Sequence, residues 1–288
     1  MATRVLIIGE DGMLGSKLNL ELQKNSNFDI VTTSRKLKQN VLQFDLTTES
    51  AKDLLSYCRP KFIINAIAEI PQSNDKSRLR LSNMLYVNSF FPRALSYYSR
   101  EMNLKLIQPC TNGVYSGRNG PYSENSPKFP SSLYGLTKLI GESTTTCQLN
   151  LRCSLIGPEV LNSAKSLLSW FENLPFESKI VGYVNHLWNG ISTKIFSQFC
   201  EYFMLENNFM AGNLNVIPAD YVSKYELLEL IKTRVQRHDI EIRPENFSKS
   251  LDLRLSTDRI TTLTQIWREI GYVNPPKISE IILRNDLM

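Results

Sequence analysis

Val5-Leu-Ile-Ile-Gly-Glu-Asp-Gly-Met-Leu-Gly15 stands near the beginning of this 288-residue chain. The apolar run at its start predicts a buried β-strand, and the glycines that follow predict a tight turn. Beyond the turn, leucines recur at the spacing of one helix face, at positions 14, 18 and 22. The order strand, glycine turn, helix is typical of the first unit of a parallel α/β sheet.

The same alternation of short apolar runs and amphipathic stretches continues to about residue 157. It predicts strands at residues 4–8, 28–33, 41–44, 61–67, 105–109 and 149–156. It predicts helices at residues 14–23, 49–57, 78–100 and 132–147, the third of them kinked or broken at Pro92. The fold class that we predict is therefore α/β, with a Rossmann-type doubly wound parallel sheet.

Beyond residue 157 the alternation weakens. We predict helices at residues 163–172, 194–205, 223–235 and 257–270, a strand at 214–217 and an irregular segment at 180–193. No internal repeat and no low-complexity linker interrupts the chain. The second half is therefore predicted to be a smaller C-terminal α/β lobe packed on the first.

Composition and charge exclude several classes of protein. Hydrophobic residues make up 42% of the chain and charged residues 21%, as in an ordinary globular protein. No apolar run approaches the roughly 20 residues that span a bilayer, and the first residues lack the pattern of a secretory signal. Five scattered cysteines indicate reduced thiols, two histidines argue against a metal site, and a net charge of +5 without a basic block argues against nucleic acid. We expect a cytoplasmic protein without a metal, membrane or nucleic-acid partner.

The glycine turn is a candidate dinucleotide site. Its spacing is Gly-x-x-Gly-x-x-Gly, at positions 9, 12 and 15. Glycines there allow a pyrophosphate to approach the backbone closely and to lie on the N–H groups at the start of the helix. Because the turn joins a predicted strand to a predicted helix, we interpret it as a phosphate-binding turn.

Tyr134 and Lys138 form a candidate pair for proton transfer. They lie four residues apart in a predicted helix, which puts both on one helix face. A neighbouring ammonium favours the phenolate, so we expect Lys138 to lower the tyrosine pKa. The pair would then act as a general acid in ketone reduction or a base in alcohol oxidation. Gly135 and Gly141 are predicted to leave a bare strip on this helix for a cofactor.

The end of the second strand indicates which dinucleotide is used. An NAD site usually has an acid there, roughly 20 residues beyond the turn, which accepts from the ribose 2′-hydroxyl. Here the strand runs into Ser34-Arg35-Lys36 without a carboxylate at that place. Arg35 could pair with a 2′-phosphate and Ser34 could donate a hydroxyl. We therefore predict NADP, with NADPH preferred over NADH.

Four further stretches make a resemblance specific. They are Ile64-Asn-Ala-Ile-Ala68, Cys110-Thr-Asn-Gly-Val-Tyr-Ser-Gly117, Leu133-Tyr-Gly-Leu-Thr-Lys138 and Leu151-Arg-Cys-Ser-Leu-Ile-Gly157, with a late Leu255-Ser-Thr-Asp-Arg259. Together with the glycine turn they resemble the extended short-chain dehydrogenase/reductase family. Within it, the chain looks most like the dTDP-4-dehydrorhamnose reductase branch.

The resemblance implies a catalytic triad. Thr111 would hydrogen-bond the substrate carbonyl, Tyr134 would donate the proton, and Lys138 would bind the nicotinamide ribose. These residues, the turn and the strand ends give the expected cofactor contacts: Gly9, Asp11, Gly12, Met13, Leu14, Gly15, Ser34, Arg35, Asp45, Leu46, Asn65, Ala66, Ile67, Ala68, Asn88, Tyr134 and Lys138. The implied reaction is NADPH-dependent reduction of a 4-keto-6-deoxy nucleotide sugar, for polysaccharide or deoxysugar biosynthesis.

One departure from the branch keeps other functions open. The branch has Asp-Tyr after the threonine, whereas this chain has Asn112-Gly113. A dehydratase of the same family would need an Asp-Glu pair there, so that function is disfavoured. An epimerase or epimerase-reductase, which would use a cysteine and a histidine, stays open. So does a non-catalytic dinucleotide-binding regulatory subunit, like the beta subunit of methionine adenosyltransferase.

The substrate side is predicted from an irregular loop at residues 182–193. In it an aromatic ring could stack on a base or sugar and polar groups could bind hydroxyls. The expected substrate contacts are Asn112, Arg152, His186, Trp188 and Asn189. We expect residues 1–157 to form the NAD(P)-binding domain and residues 158–288 mainly the substrate lobe, with residues 185–217 returning to the first domain. A homodimer stays open.

Overall fold

The computed structural model describes residues 2–70, 78–159, 166–205 and 208–284. The strands in these ranges are β1 (Thr3–Ile8), β2 (Phe28–Ser34), β3 (Leu42–Gln43), β4 (Phe62–Asn65), β5 (Lys105–Thr111), β6 (Gln148–Cys153), β7 (Leu155–Ile156), β8 (Lys179–Tyr183), β9 (His186–Trp188), β10 (Ile191–Ser192), β11 (Gly212–Asn215), β12 (Val222–Ser223), β13 (Glu241–Glu245) and β14 (Leu251–Asp252). The helices are α1 (Met13–Leu22), α2 (Ala51–Cys58), α3 (Arg78–Leu85), α4 (Phe91–Glu101), α5 (Leu133–Gly141), α6 (Leu167–Glu172), α7 (Thr193–Met204), α8 (Lys224–Val235), α9 (Ile260–Glu269) and α10 (Ile278–Leu283).

Seven strands form the central sheet, in the order β11-β6-β5-β4-β1-β2-β3. Every neighbouring pair is parallel. The chain moves outward from β1 in one direction through β2 and β3, then returns to start β4 on the other side of β1. This is a doubly wound Rossmann-type sheet, as predicted, and its strand order reverses between β1 and β4. Ligands of such sheets bind at the carboxyl ends of the strands beside that reversal.

Apolar side chains cover both faces of the sheet. One core contains leucines of α1, phenylalanines of α7 and Trp267 of α9. The other contains side chains of α2 and α4. A third core, built from α6, α8, α10 and β13, lies in the second half of the chain. The described helices include none with the length and hydropathy that a membrane crossing requires.

The helix predicted at residues 78–100 changes geometry just before Pro92. A π-helical turn, Tyr86–Phe90, joins α3 to α4. Pro92 has no N–H to donate to the carbonyl of Asn88, four residues earlier, so the helix widens there. The freed carbonyl packs against α5, where a Cβ on Gly141 would lie 2.1 Å from the Asn88 oxygen. The break predicted at Pro92 is therefore a widened helical turn against which α5 packs.

Several predicted boundaries were wrong. The helix predicted at 132–147 ends at Gly141, and the strand predicted at 149–156 is interrupted between β6 and β7. The segment predicted as irregular at 180–193 contains β8, β9 and β10. β8 pairs in parallel with β13, about 60 residues further along the chain, and such a distant partner leaves no local signal. Of the helix predicted at 163–172, residues 163–165 lie outside the described part of the chain, and α6 covers Leu167–Glu172.

Candidate active site

The glycine turn is shaped by two close backbone approaches. Gly9 has a φ of +95°, and a Cβ there would lie 2.5 Å from Ile67 Cγ1. A Cβ on Gly15 would lie 2.0 Å from the Gly9 carbonyl oxygen. At Gly12 the nearest atom would be 3.8 Å away, so the turn is open at that point. Gly12 is also the N-cap residue of α1. Because it has no side chain to cap the first N–H groups, these remain donors for an anion, and the turn fits a pyrophosphate.

Two carboxylates of this turn reach the end of β2. The Glu10 carboxylate accepts from Thr32 Oγ1 at 2.6 Å, and the Asp11 carboxylate accepts from Ser34 Oγ at 2.6 Å. Lys38 Nζ donates to both acids, at 2.9 Å for Glu10. Burial alone would raise the pKa of Asp11, but the hydrogen bonds from Lys38 and Ser34 outweigh it and lower the pKa. Glu10 and Lys38 were not predicted, because an acid was expected on the strand itself and these residues lie in two turns.

This network changes the expected part of Ser34. The Ser34 hydroxyl is buried and donates its one proton to Asp11, so it cannot also donate to a phosphate. Arg35 is exposed at the strand end, and its charge adds to the lowering of the Asp45 pKa. The larger causes at Asp45 are the backbone and side-chain hydrogen bonds of Thr47.

Other expected cofactor contacts lie at the same edge or in the core behind it. Asn65 is buried at the end of β4 and donates to Gln108 Oε1 at 3.0 Å, while its Oδ1 has no protein partner in the described residues. The backbone that follows it, residues 66–68, lies against the glycine turn through Ile67. Met13 is half-buried in the first turn of α1. Leu14 and Leu46 are core side chains, so only their backbone could touch a cofactor.

The three residues expected to be catalytic lie together at the carboxyl end of β5. Thr111 is the last residue of that strand, and its Oγ1 accepts from the Gly113 N–H at 3.1 Å. The phenol ring of Tyr134 on α5 lies beside it, since a Cβ on Gly113 would be 3.4 Å from Thr111 Oγ1 and 3.9 Å from Tyr134 Cδ1. Lys138, one turn further along α5, is buried and donates to the Pro109 carbonyl at 3.1 Å. The Thr111 and Tyr134 hydroxyls and the Lys138 ammonium thus lie at the carboxyl ends of the strands, on the side of the sheet that also carries the glycine turn.

The electrostatics of this group differ from the expectation. The pKa of Tyr134 is raised to about 12, mainly by burial, with a smaller rise from Cys110 that the Thr111 side chain opposes. Burial lowers the pKa of Lys138, whose ammonium points a donor at Pro109. The expected lowering of the tyrosine pKa by Lys138 is therefore not found. Tyr134 is a protonated phenol at neutral pH, which suits a proton donor.

Helix α5 is fixed from both sides. A Cβ on Gly135 would lie 2.0 Å from the Gly113 carbonyl oxygen, so backbone fills the strip that was predicted to be bare. Asn88 donates to Thr137 Oγ1 at 3.1 Å, and Ser89 Oγ donates to the Thr137 carbonyl at 2.7 Å. The Asn88 amide also bonds the backbone N–H and carbonyl of Glu69, both at 2.9 Å. Asn88, expected to bind the cofactor, thus links the β4 edge to the helix that carries Tyr134.

Arg152 is a structural residue in this fold and cannot contact a substrate. Its side chain is fully buried on β6. Its guanidinium binds both oxygens of Glu142, at 2.8 and 2.9 Å, and donates to Asn215 Oδ1 at 3.0 Å. Burial alone would raise the pKa of Glu142, but Arg152 and Lys128 outweigh it and lower the pKa. The expected substrate contact was wrong because an arginine on a strand reads the same in sequence whether its partner is a diphosphate or a buried carboxylate.

Two asparagines expected at the substrate instead hold residues 251–258, which we name the C-terminal strap. Asn189 donates to the Leu255 carbonyl at 2.7 Å and accepts from the Leu255 N–H at 2.8 Å. Asn112 donates to the Leu253 carbonyl at 3.0 Å, and its Oδ1 lies 3.4 Å from Thr111 Oγ1. Both amides are buried. The Asn189 amide uses one N–H and its oxygen to hold Leu255, while Asn112 links the strap to the end of β5.

The aromatic residues of the predicted loop have two different environments. Trp188 packs within the fold, and His186 belongs to a small cluster of rings. Trp188 Nε1 donates to Ser154 Oγ at 2.7 Å, and the indole packs closely against Gly190. His186, Tyr183 and Phe247 form a cluster in which each ring contacts the other two, at centroid distances of 4.8–5.2 Å. Burial lowers the pKa of His186, so the ring is neutral at pH 7. Trp188 has a packing role, and His186 has a polar edge without a charge.

A family model described as the RmlD substrate binding domain matches residues 3–156. The chain belongs to this family. The match confirms the predicted resemblance to the dTDP-4-dehydrorhamnose reductase branch and covers the glycine turn, Thr111, Tyr134 and Lys138.

Curated relatives match over about 140 residues. The dTDP-4-dehydrorhamnose reductase of Streptomyces griseus is 30% identical, covering 48% of this chain and 43% of that protein. The methionine adenosyltransferase 2 subunit beta of Xenopus laevis is 30% identical, covering 48% and 41%. The spore coat polysaccharide biosynthesis protein SpsK of Bacillus subtilis is 24% identical, covering 49% and 47%. The chain therefore spans about half the length of the curated relatives that it matches.

Solved structures match over nearly the whole chain. The dTDP-4-dehydrorhamnose reductase of Bacillus anthracis, in complex with NADP, has a TM-score of 0.76 at 20% identity and covers 98% of both chains. MoeE5, in complex with UDP-glucose and NAD, has a TM-score of 0.74 at 18% identity and covers 97% of this chain and 96% of its own. At these identities the likeness shows the shared fold.

Proposed function

We propose that this protein reduces a 4-keto-6-deoxy nucleotide sugar with NADPH, as a dTDP-4-dehydrorhamnose reductase-like enzyme. The observation that carries the proposal is the meeting of Thr111, Tyr134 and Lys138 beside a phosphate-binding glycine turn. The relatives named for dTDP-4-dehydrorhamnose reduction and polysaccharide biosynthesis support the same class of reaction.

In this proposal each residue has a defined task. The N–H groups at the start of α1 bind the pyrophosphate, and the backbone of residues 65–68 lines the neighbouring edge. Bound NADPH supplies the hydride. Thr111 binds the ketone oxygen, and Tyr134, protonated at neutral pH, donates a proton to that oxygen as its charge develops. Lys138 has two donors beyond its bond to Pro109, and these would hold ribose hydroxyls.

Parts of the surrounding organisation also belong to the proposal. We place the dinucleotide on residues 1–157 and the sugar between that part and the third core, near His186. We expect the protein to act in the cytoplasm. A homodimer is compatible with this arrangement.

The epimerase alternatives lose support at Cys110. Burial raises the pKa of its thiol to about 12, so it would exchange protons poorly near neutral pH. The thiol also lies before Thr111 on β5 and donates weakly to Asn150 Oδ1. We therefore propose reduction without epimerisation.

A second candidate is a non-catalytic subunit that binds a dinucleotide. The observation that favours it is the similarity to relatives named as methionine adenosyltransferase subunits. This candidate keeps the glycine turn but makes no use of proton transfer by Tyr134.

An assay of NADPH oxidation separates the two candidates. The purified chain is given a panel of 4-keto-6-deoxy nucleotide sugars and absorbance at 340 nm is followed, with dinucleotide binding measured in parallel. We expect turnover with at least one sugar and a loss of about 100-fold or more in Tyr134→Phe, which keeps the ring and removes the donor. Binding of NADPH without turnover on any sugar would support the regulatory subunit instead.

A further inference from the structure

The side chains around the end of β2 form a charged triad that the sequence did not reveal. Glu10 and Asp11 come from the glycine turn, and Lys38 comes from the segment after β2. Lys38 Nζ binds Glu10 Oε1 at 2.9 Å and also binds Asp11 Oδ1. Thr32 and Ser34, on β2, fix the remaining oxygens of the two acids.

This position matters for cofactor choice. In sheets of this kind the adenosine ribose lies between the glycine turn and the end of the second strand. An acid there accepts from a ribose 2′-hydroxyl and repels a 2′-phosphate. β2 of this chain carries no such acid at its end, but the glycine turn delivers two carboxylates to the same place.

The net effect of those acids depends on Lys38. In the described residues, Lys38 is the cation that contacts both carboxylates, and its side chain is 38% exposed. Lys36 is an exposed neighbour whose charge reaches Asp11 without a hydrogen bond. Arg35 is exposed, with its charge felt at Asp45. Without Lys38, two carboxylates would face the ribose with only distant compensation.

We propose that Lys38 sets the dinucleotide specificity of this site by neutralising Glu10 and Asp11, so that a 2′-phosphate can be accepted. The inference rests on the proposed dinucleotide site and adds its specificity determinant. With Lys38 in place the acids are covered and NADPH is admitted. When Lys38 is removed, the uncovered acids repel the 2′-phosphate and can accept from the 2′-hydroxyl of NADH.

The test compares dissociation constants for NADPH and NADH by intrinsic fluorescence or calorimetry. In Lys38→Met we expect the NADPH constant to rise by about tenfold or more and the NADH constant to change by less than about threefold. In the triple variant Glu10→Gln, Asp11→Asn, Lys38→Met, the ratio of the two constants should return to within about threefold of wild type, because no acids remain to be covered. Lys36→Met removes the same charge without breaking the triad and should leave the ratio unchanged. Lys38→Gln serves if the methionine variant does not fold.

Two results would overturn the inference while leaving the proposed function intact. One is an unchanged ratio in Lys38→Met, and the other is a triple variant that stays as poor for NADPH as the single one. The second result would show that Lys38 touches the phosphate directly. A wild-type chain that binds neither dinucleotide would instead overturn the proposed function itself.

Discussion

The pKa of Tyr134 is set mainly by the burial of its side chain. Tyr134 and Lys138 both lie on α5, and Thr111 lies beside the phenol ring. The motif of Tyr134 and Lys138 did not predict the direction of the pKa shift, because burial raises the pKa of the phenol and the Lys138 ammonium donates to Pro109. A raised pKa keeps the proton on the phenol, which favours ketone reduction over alcohol oxidation.

The protonation state of Tyr134 can be measured directly. Since burial raises its pKa to about 12, the phenol should stay protonated throughout the range from pH 6 to pH 10. The difference in tyrosinate absorbance between wild type and Tyr134→Phe should therefore stay flat over that range in the absence of dinucleotide. A step in this difference near pH 7 or 8 would contradict the assignment and restore the expected effect of Lys138.

Arg152 gives a prediction that separates structure from substrate binding. Replacing it by methionine leaves the Glu142 carboxylate buried beside Lys128 alone. Breaking a buried ion pair in this way should reduce the free energy of unfolding by about 3–5 kcal/mol. Chemical denaturation measures this loss, and the affinity for NADPH at moderate temperature should be near wild type.

The matched control is Arg118→Met, because Arg118 is exposed and its replacement should change stability by about 0.5 kcal/mol or less. The structural assignment of Arg152 would fail if Arg152→Met were as stable as this control while its affinity for a nucleotide sugar collapsed.

Among the elements, the C-terminal strap was the least accessible from sequence. It is held by Asn112 and Asn189, and also by Glu124, which accepts from Thr257 Oγ1 at 2.7 Å and the Asp258 N–H at 2.9 Å. Asn112 and its partner Leu253 are 141 residues apart. Local sequence patterns carry no information about contacts at such a distance, so the attachment of the strap could not be predicted from the sequence.

The strap should loosen when its amide clamp is removed. Asn189→Ala leaves the Leu255 N–H and carbonyl without their partner in a buried position, so we expect a loss of about 2 kcal/mol or more in unfolding free energy. Hydrogen exchange of the strap amides should accelerate, while exchange in α1 should not. Asn125→Ala is the control, because its exposed bond to Asp258 should contribute little. Equal exchange in the two variants would show that Asn189 does not clamp the strap.

Helix α5 and the π-helical turn show the opposite case. The sequence predicts a kink or break at Pro92 and a helix that carries Tyr134, and both predictions rest on local sequence patterns. They pack through the Asn88 carbonyl, which lies against Gly141, and through side-chain hydrogen bonds of Asn88 and Ser89 to Thr137. The missing N–H of Pro92 predicts that the Asn88 carbonyl loses its usual helical donor, but the contact of this carbonyl with Gly141 is seen only in the folded structure.

At the scale of the whole molecule, the sheet was the most predictable feature. Alternating runs of about five apolar residues specify parallel strands, and the position of the glycine turn identifies β1. The strands of the second half were harder because they are short, half-exposed and paired with distant segments. The charged triad of Glu10, Asp11 and Lys38 could not be predicted either, because it joins two segments that come together only in the folded sheet.

The most direct test of the proposed reaction follows the hydride. The chain is incubated with NADPH that carries deuterium at both positions of nicotinamide carbon 4, together with 4-keto-6-deoxy nucleotide sugars, and the products are examined by NMR. We predict a product with one deuterium at sugar carbon 4, formed about 100-fold or more slowly by Tyr134→Phe. A chain that binds NADPH tightly yet transfers deuterium to none of the sugars would contradict the reductase assignment.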